Sequence, residues 1–218
     1  MKRIYRILAI LGIATALGGL TVAYNLGRMN DEQYAQQDFE ESKQGDHQKA
    51  IADYTQALKQ NPNQAQLYNN RGNANFEAGN HDRAIADFTQ ALQINPNLAE
   101  AYYNRGFARH RLGDKQEAVE DYTKALQINP DYLQAYGNRG VVRSHIGDQQ
   151  GAIEDYTQVL RLKPDLAPVY YNRGLARFQQ GEQQGGREDL QRAANLFSEQ
   201  KNTAGYKQVM DAIKQLDS

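Results

Sequence analysis

Asparagine and arginine recur together in this 218-residue chain, in an Asn-Arg-Gly triplet that returns every 34 residues. The four triplets begin at Asn70, Asn104, Asn138 and Asn172. An asparagine carboxamide both donates and accepts hydrogen bonds, which matches the N–H and C=O groups of any peptide backbone. A guanidinium pairs strongly with carboxylates and phosphates. The triplet therefore offers two chemistries: the amides could bind a polypeptide backbone, and the arginines could bind an anion.

An acidic column accompanies the arginines at the same spacing. The arginines are Arg71, Arg105, Arg139 and Arg173, and the aspartates are Asp53, Asp87, Asp121, Asp155 and Asp189. Because an aspartate is available for each arginine, we predict Asp–Arg pairing within or between neighbouring copies of the repeat. The alternative is a stripe that binds an anionic ligand. Arg109, Arg143 and Arg177 favour that alternative, whereas the acidic column opposes it.

Sequence signatures of catalysis are missing, and those of metal binding are weak. The chain has no phosphate loop, no Gly-x-Ser-x-Gly and no His-Glu-x-x-His. Cysteine is absent, which excludes disulfides, thiolate nucleophiles and cysteine-ligated metals. His110 and His145 occupy near-equivalent places, but no third ligand accompanies them. We therefore predict no catalytic residues, no cofactor and no bound metal.

The charge balance bears on the class of partner. Lys and Arg total 25 and Asp and Glu total 26, which gives a formal net charge of −1. Proteins that bind nucleic acid usually carry a basic surplus, because phosphate contacts dominate their affinity. We therefore predict no nucleic-acid partner.

Each 34-residue copy is predicted to fold as two helices. In the copy that starts at Ala65, Tyr68 lies four residues before Gly72, so the two share a helix face. Gly79 stops this first helix. An apolar stripe at helical spacing then marks a second helix, which ends at the residue before Pro96. Neither helix is apolar enough to stand alone, so stacked copies must bury each other's stripes.

The pattern resembles the tetratricopeptide repeat. The family's aromatic, small, Ala, aromatic, Ala and Pro positions correspond to Tyr102, Gly106, Ala118, Tyr122, Ala125 and Pro130. The resemblance implies an all-α, right-handed solenoid of about five copies over residues 30–201, followed by a capping helix over 202–218. One departure is Gly185-Gly186 in the fifth copy, where the family has Ala. Another is a polar residue where an aromatic is expected, at Asn75, Arg109, Arg143 and Arg177.

In this family the first helices line a concave groove that holds extended peptides. By resemblance, the groove residues are Asn69, Asn70, Asn73, Tyr103, Asn104, Phe107, Asn138, Val141, Tyr171, Asn172 and Phe178. The resemblance implies a non-enzymatic scaffold that binds an extended polypeptide. Some members grip a C-terminal carboxylate with Lys and Arg, but Gln134 and Asn138 stand at those places here, so we expect no preference for a free C-terminal carboxylate. For the asparagines, the alternative is that they link neighbouring helices. For the protein, the alternative is a membrane-tethered structural or assembly subunit that acts through its convex face or self-association.

Residues 1–29 differ from the rest of the chain and indicate a membrane-targeting segment. Lys2, Arg3 and Arg6 precede an uncharged run from Ile7 to Ala23. As a helix this run is about 26 Å long, at the short limit for spanning a bilayer. Two interpretations stay open: a cleaved signal peptide, or an uncleaved signal anchor with residues 4–26 in the membrane. Both predict that the repeats lie outside the cytoplasm.

Overall fold

The computed structural model describes residues 47–216, which form helices joined by short turns, with no β-strand among them. The ten helices of this range are α1 His47–Gln60, α2 Ala65–Glu77, α3 His81–Ile94, α4 Ala99–Leu112, α5 Lys115–Ile128, α6 Leu133–His145, α7 Gln149–Leu162, α8 Ala167–Gln180, α9 Gln183–Glu199 and α10 Thr203–Leu216. The predicted all-α class of helix-turn-helix repeats is therefore confirmed.

Two of the predictions made from the sequence concern residues before 47. The signal peptide or anchor over residues 1–29 and the first helix of the first copy both lie outside the described residues. Within residues 47–216, no helix combines the length and the apolar character that crossing a membrane requires.

The turn inside each helix pair closes on a glycine. Gly79, Gly113, Gly147 and Gly181 have φ values of 80°, 96°, 88° and 90°. A side chain at such a φ collides with the backbone, so glycine is the residue that this turn accepts at least strain. This explains why a glycine recurs at the end of each first helix.

The described residues form two compact units, one that ends at Asp114 and one that begins at Lys115. In the first unit, α1 to α4 pack around small cores of alanine and one large ring per copy. Phe88 is 1% exposed and packs with Ala84 and Ala108. A Cβ added to Gly72 would lie 2.6 Å from the Phe88 ring, so α2 must carry a glycine for α3 to approach it.

In the second unit, α5 to α10, aromatic rings again pack against glycines. In the fifth copy, however, the ring and the glycine exchange helices. A Cβ on Gly140 would lie 2.8 Å from the Tyr156 ring, as expected from the first unit. In the fifth copy the ring comes instead from the first helix, because Phe178 lies over Gly186, where a Cβ would be 2.5 Å away. Gly186 is thus the residue that lets Phe178 reach the backbone of α9.

The capping helix α10 buries only part of its apolar residues. Val209 is fully buried, and Gly205 lies against the ring of Phe197. Tyr206 and Met210 are 42% and 39% exposed, respectively. The apolar face of this helix is therefore only partly covered.

Candidate functional site

The arginine of the triplet is bound by the aspartate of its own copy. Arg71 donates to Asp87 from Nε at 3.0 Å and from Nη2 at 2.6 Å. The corresponding distances are 2.9 and 2.7 Å from Arg139 to Asp155, and 2.8 and 2.7 Å from Arg173 to Asp189. Two parallel bonds to one carboxylate are the strongest geometry that this pair can adopt. The predicted Asp–Arg pairing is confirmed in these three copies.

The polar residue that replaces the family's aromatic binds the same aspartate. Arg143 Nη1 donates to Asp155 Oδ2 at 3.1 Å, and Arg177 Nη1 donates to Asp189 Oδ2 at 2.7 Å. In the second copy Asn75 Nδ2 does the same to Asp87 Oδ2 at 2.9 Å. Arg143 and Arg177 are therefore engaged within the fold, which argues against a stripe that binds an anionic ligand.

Burial dominates the electrostatics of the Asp155 carboxylate. The side chain of Asp155 is 2% exposed. Its desolvation raises the pKa of Asp155 above the ordinary value, although Arg139 and Arg143 act to lower it. A buried carboxylate that has lost its water needs other hydrogen-bond donors, and here Arg139 and Arg143 provide them.

A threonine of the preceding copy completes the network. Arg71 Nη1 donates to Thr55 at 3.2 Å, and Arg139 Nη1 donates to Thr123 at 2.8 Å. The hydroxyl of Thr123 in turn donates to the carbonyl of Val119 at 2.7 Å. Sequence reasoning missed these residues, although Thr55, Thr89, Thr123 and Thr157 follow the same 34-residue period.

The arginine also lies over an aromatic ring in its own helix. The guanidinium carbons of Arg71, Arg105, Arg139 and Arg173 lie 5.4 to 5.7 Å from the ring centroids of the tyrosines three residues earlier. A cation at this distance is attracted to the face of the ring. The arginine of each triplet is therefore a structural residue.

In the first unit, the predicted groove residues on α2 and α4 are Asn69, Asn70, Asn73, Tyr103, Asn104 and Phe107. We name the contact between these helices the α2–α4 seam. It is defined by the same residues with Phe76 in place of Asn70. Asn104 Nδ2 donates to Asn69 Oδ1 at 3.1 Å, which links the two helices. Asn70 accepts a hydrogen bond from Gln66 at 3.0 Å within α2. At Asn104, the alternative role of joining neighbouring helices is therefore observed.

Aromatic rings form the other end of the seam. The ring centroids of Phe76 and Phe107 are 5.2 Å apart, and those of Tyr103 and Phe107 are 6.3 Å apart. His81 lies against Phe76, with 4.8 Å between centroids. All four rings are half-buried. The seam therefore combines amides at one end with partly exposed aromatic surface at the other.

Two amide N–H groups in the seam lack hydrogen-bond partners among the described residues. Asn69 is fully buried and Asn73 is 4% exposed. The Nδ2 atoms of both have no partner among the described residues. Buried amides in folded proteins are nearly always paired, so these two donors need an explanation.

The remaining predicted groove residues lie on α6 and α8 of the second unit. Asn138 and Asn172 are half-buried, and Val141 packs against the core cluster that contains Ile153. Tyr171 lines a cavity of about 410 Å³ with residues of α10. Phe178 belongs to the core cluster of α8 to α10 and is 9% exposed, so little of its ring is open to a ligand.

Among residues 47–216, no three His, Asp or Glu side chains are grouped so that they could hold a metal ion.

The repeats match two family models. A model described as TPR repeat matches residues 40–79, 72–113 and 145–181, and a tetratricopeptide repeat model matches residues 99–132. No curated protein matches the chain in sequence.

Several solved structures share the fold. A crystal structure of MamA has a TM-score of 0.72 at 25% identity, covering 80% of this chain and 95% of MamA. MamA from Desulfovibrio magneticus RS-1 has a TM-score of 0.72 at 17% identity, covering 79% and 98%. YrrB, described as a TPR protein with an unusual peptide-binding site, has a TM-score of 0.70 at 20% identity, covering 83% and 90%.

Proposed function

Because this chain belongs to the tetratricopeptide repeat family, we propose that it is a protein-interaction scaffold whose first helices bind an extended polypeptide. The observation that carries this proposal is the composition of the α2–α4 seam. Its six residues are amides and aromatics, and none of them is charged. Amides match the polar groups of a peptide backbone, and aromatic rings bury apolar side chains.

The triplet arginine of α2 supports the same class of partner. Arg71 is held by Asp87 and Thr55, so it is already occupied within the fold. A partner recognised through phosphate or carboxylate groups would need cations that are not engaged in this way. We therefore expect recognition of a neutral backbone with apolar side chains, and no requirement for a free C-terminal carboxylate.

The structural relatives agree with this proposal. YrrB has the same fold and is described as carrying a peptide-binding site. Its identity of 20% supports a shared architecture, so the choice of ligand rests on the seam itself. The proposed activity is binding alone, without catalysis.

A random decapeptide library displayed on phage tests the proposal directly. We expect the full-length protein to enrich a set of peptides that bind competitively with one another. Phe107→Glu, which places a charge in the seam, should abolish their binding. Glu120→Arg changes an exposed residue of α5 and should leave binding intact. Enrichment of no peptide, or loss of binding with Glu120→Arg alone, would refute the groove as the binding site.

We also propose a location for this scaffold. The basic start and the apolar run of residues 1–28 support export of the repeats across a membrane, either with cleavage or with residues 4–26 retained as an anchor. A tethered scaffold of this kind would gather its partner at the membrane surface.

A further inference from the structure

The junction between α9 and α10 differs from every other helix junction in residues 47–216. Four of those junctions contain a proline, and four contain a glycine with a positive φ. Both residue types stop a helix, so the chain must turn there. The α9–α10 junction is Gln200-Lys201-Asn202, which contains neither proline nor glycine. Its sequence would therefore also allow α9 to continue into α10 as one helix.

The α9–α10 turn places a lysine in a backbone conformation that suits glycine. Lys201 has a φ of 55° and is the only non-glycine residue with a positive φ among the described residues. The turn is closed by the same hydrogen bonds as the Gly181 turn. Lys201 N–H donates to the Ser198 carbonyl at 3.0 Å, and Asn202 N–H donates to the Phe197 carbonyl at 2.8 Å. A side chain strains this conformation, and straightening the junction would release the strain.

The helix that follows this turn is lightly embedded in the second unit. Gly205 and Val209 are buried in α10, which is two of its 14 residues, whereas seven of the 17 residues of α9 are buried. Glycine inside a helix also lowers the stability of that helix. Elements with few buried residues open at the lowest free energy. We therefore expect α10 to separate from α9 before the rest of the unit unfolds.

We propose that two copies of this chain exchange their α10 helices. In the exchanged dimer, α9 and α10 of each copy form one continuous helix over residues 183–216, about 51 Å long. Each α10 then packs on α9 of the other copy. The fold itself selects this occupant, because a second α10 repeats the contact between Gly205 and the Phe197 ring that the first α10 has left.

The balance between the closed monomer and the exchanged dimer depends on the junction. The contacts between α9 and α10 are the same in both forms, so they do not decide it. Release of the strain at Lys201 favours the dimer. The bond from Gly205 N–H to Asn202 Oδ1 at 2.9 Å exists only where α10 begins as a separate helix, so it favours the monomer. Association costs entropy, which makes the dimer depend on concentration.

This exchange goes beyond peptide binding and does not depend on it. The product holds two repeat arrays in one assembly. A partner with two binding motifs would then be held by two arrays at once, which raises its apparent affinity without any new contact.

Substitutions in the junction shift the two forms in opposite directions. Lys201→Gly relieves the closed turn and weakens the continuous helix, so the dimer Kd should rise at least tenfold. Asn202→Ala removes the bond to Gly205, so the dimer Kd should fall at least tenfold. Lys214→Ala is the control, because it removes an exposed lysine of α10 away from the turn, and its Kd should stay within twofold. Sedimentation velocity of the full-length protein in mild detergent measures these values.

An engineered disulfide identifies which copy supplies α10, because the chain has no cysteine of its own. A Cβ on Gly205 would lie 2.9 Å from Cγ of Phe197. The two Cβ atoms are therefore within about 4.5 Å, which a disulfide can bridge. In the double variant Phe197→Cys with Gly205→Cys, the separated dimer should oxidise to covalently linked dimers on a non-reducing gel. The separated monomer should oxidise within one chain.

Three results would overturn the exchange. The first is a dimer fraction that oxidises only within single chains, since its α10 helices would not have exchanged. The second is a dimer Kd that Lys201→Gly leaves within twofold, as expected for association through residues 1–28, which all variants share. The third is an Asn202→Ala variant that stays monomeric at every concentration. The junction variants decide the question even where the cysteine variant fails to fold, and none of these results bears on peptide binding.

Discussion

Arg139 joins two copies of the repeat through one side chain. Its Nε and Nη2 atoms donate to Asp155 at 2.9 and 2.7 Å, and its Nη1 atom donates to Thr123 at 2.8 Å. Asp155 belongs to the same copy as Arg139, whereas Thr123 belongs to the copy before. Both side chains of the ion pair are largely buried, with 11% of the arginine and 2% of the aspartate exposed.

Arg139→Leu should therefore destabilise the protein strongly. It leaves Asp155 with Arg143 as its remaining cation, and breaking a buried pair by removing one partner costs about 3–5 kcal/mol. We expect a loss near the lower end of that range in urea unfolding, with peptide affinity retained in the folded protein. Arg161→Leu is the control, because Arg161 is 61% exposed and lies 3.9 Å from Asp131. Normal stability with lost peptide binding would assign Arg139 to ligand recognition.

Thr123→Val should weaken the link between copies. The change keeps the shape of the side chain but removes the oxygen that accepts from Arg139 and donates to Val119. A typical hydrogen bond contributes about 0.5–1.5 kcal/mol, so we expect a loss of about 1–2 kcal/mol in the free energy of unfolding. Thr123→Ser retains the hydroxyl and should lose less. Equal losses in the two variants would show that the methyl group, and not the hydroxyl, matters.

Two glycines of α6 should respond to alanine in opposite directions. A Cβ on Gly140 would lie 2.8 Å from the Tyr156 ring, so Gly140→Ala should cost about 1–3 kcal/mol through overpacking. A Cβ on Gly137 would meet only Val159, at 4.0 Å. Gly137→Ala should therefore stabilise by up to about 1 kcal/mol, because alanine favours a helix. Thermal unfolding of both variants measures this, and a stable Gly140→Ala would contradict the close approach of α6 and α7.

Deleting residues 1–28 should change where the protein is found. The full-length chain should fractionate with membranes or appear outside the cytoplasm, and the truncated chain should remain in the cytoplasm. Mass spectrometry of the N-terminus of the mature protein distinguishes a cleaved signal peptide from a retained anchor. A full-length protein that stays freely soluble in the cytoplasm would refute the proposed location.

The repeat itself was predictable because its residues are local and periodic. The glycine that recurs at the turns was enough to predict the helix ends. The aspartate that follows each triplet arginine by 16 residues was enough to predict the Arg–Asp pairing. Contacts that depend on the rotamers of several copies were not predictable. For Asn104 the sequence left two roles open, contact with a peptide or a link between helices, and the bond to Asn69 was visible only in the structure.

The fifth copy shows how a local exception changes a predicted site. Gly186 stands where most copies have alanine, and the missing methyl lets the Phe178 ring settle against α9. Phe178 was expected in the groove, and its burial follows from a residue eight positions away. Peptide contact by the other groove residues stays a prediction, which the variants of the seam address.

The dual attachment of Arg139 also has a consequence for the way the array comes apart. Its bonds to Asp155 contribute to the intrinsic stability of one copy, and its bond to Thr123 contributes to the interface with the copy before. In a linear array, the interface term is what makes neighbours unfold together. A variant that weakens the Arg139–Thr123 bond alone should uncouple the two copies. Its melting transition should broaden, and local unfolding that starts at the nearer end of the array should extend further inward.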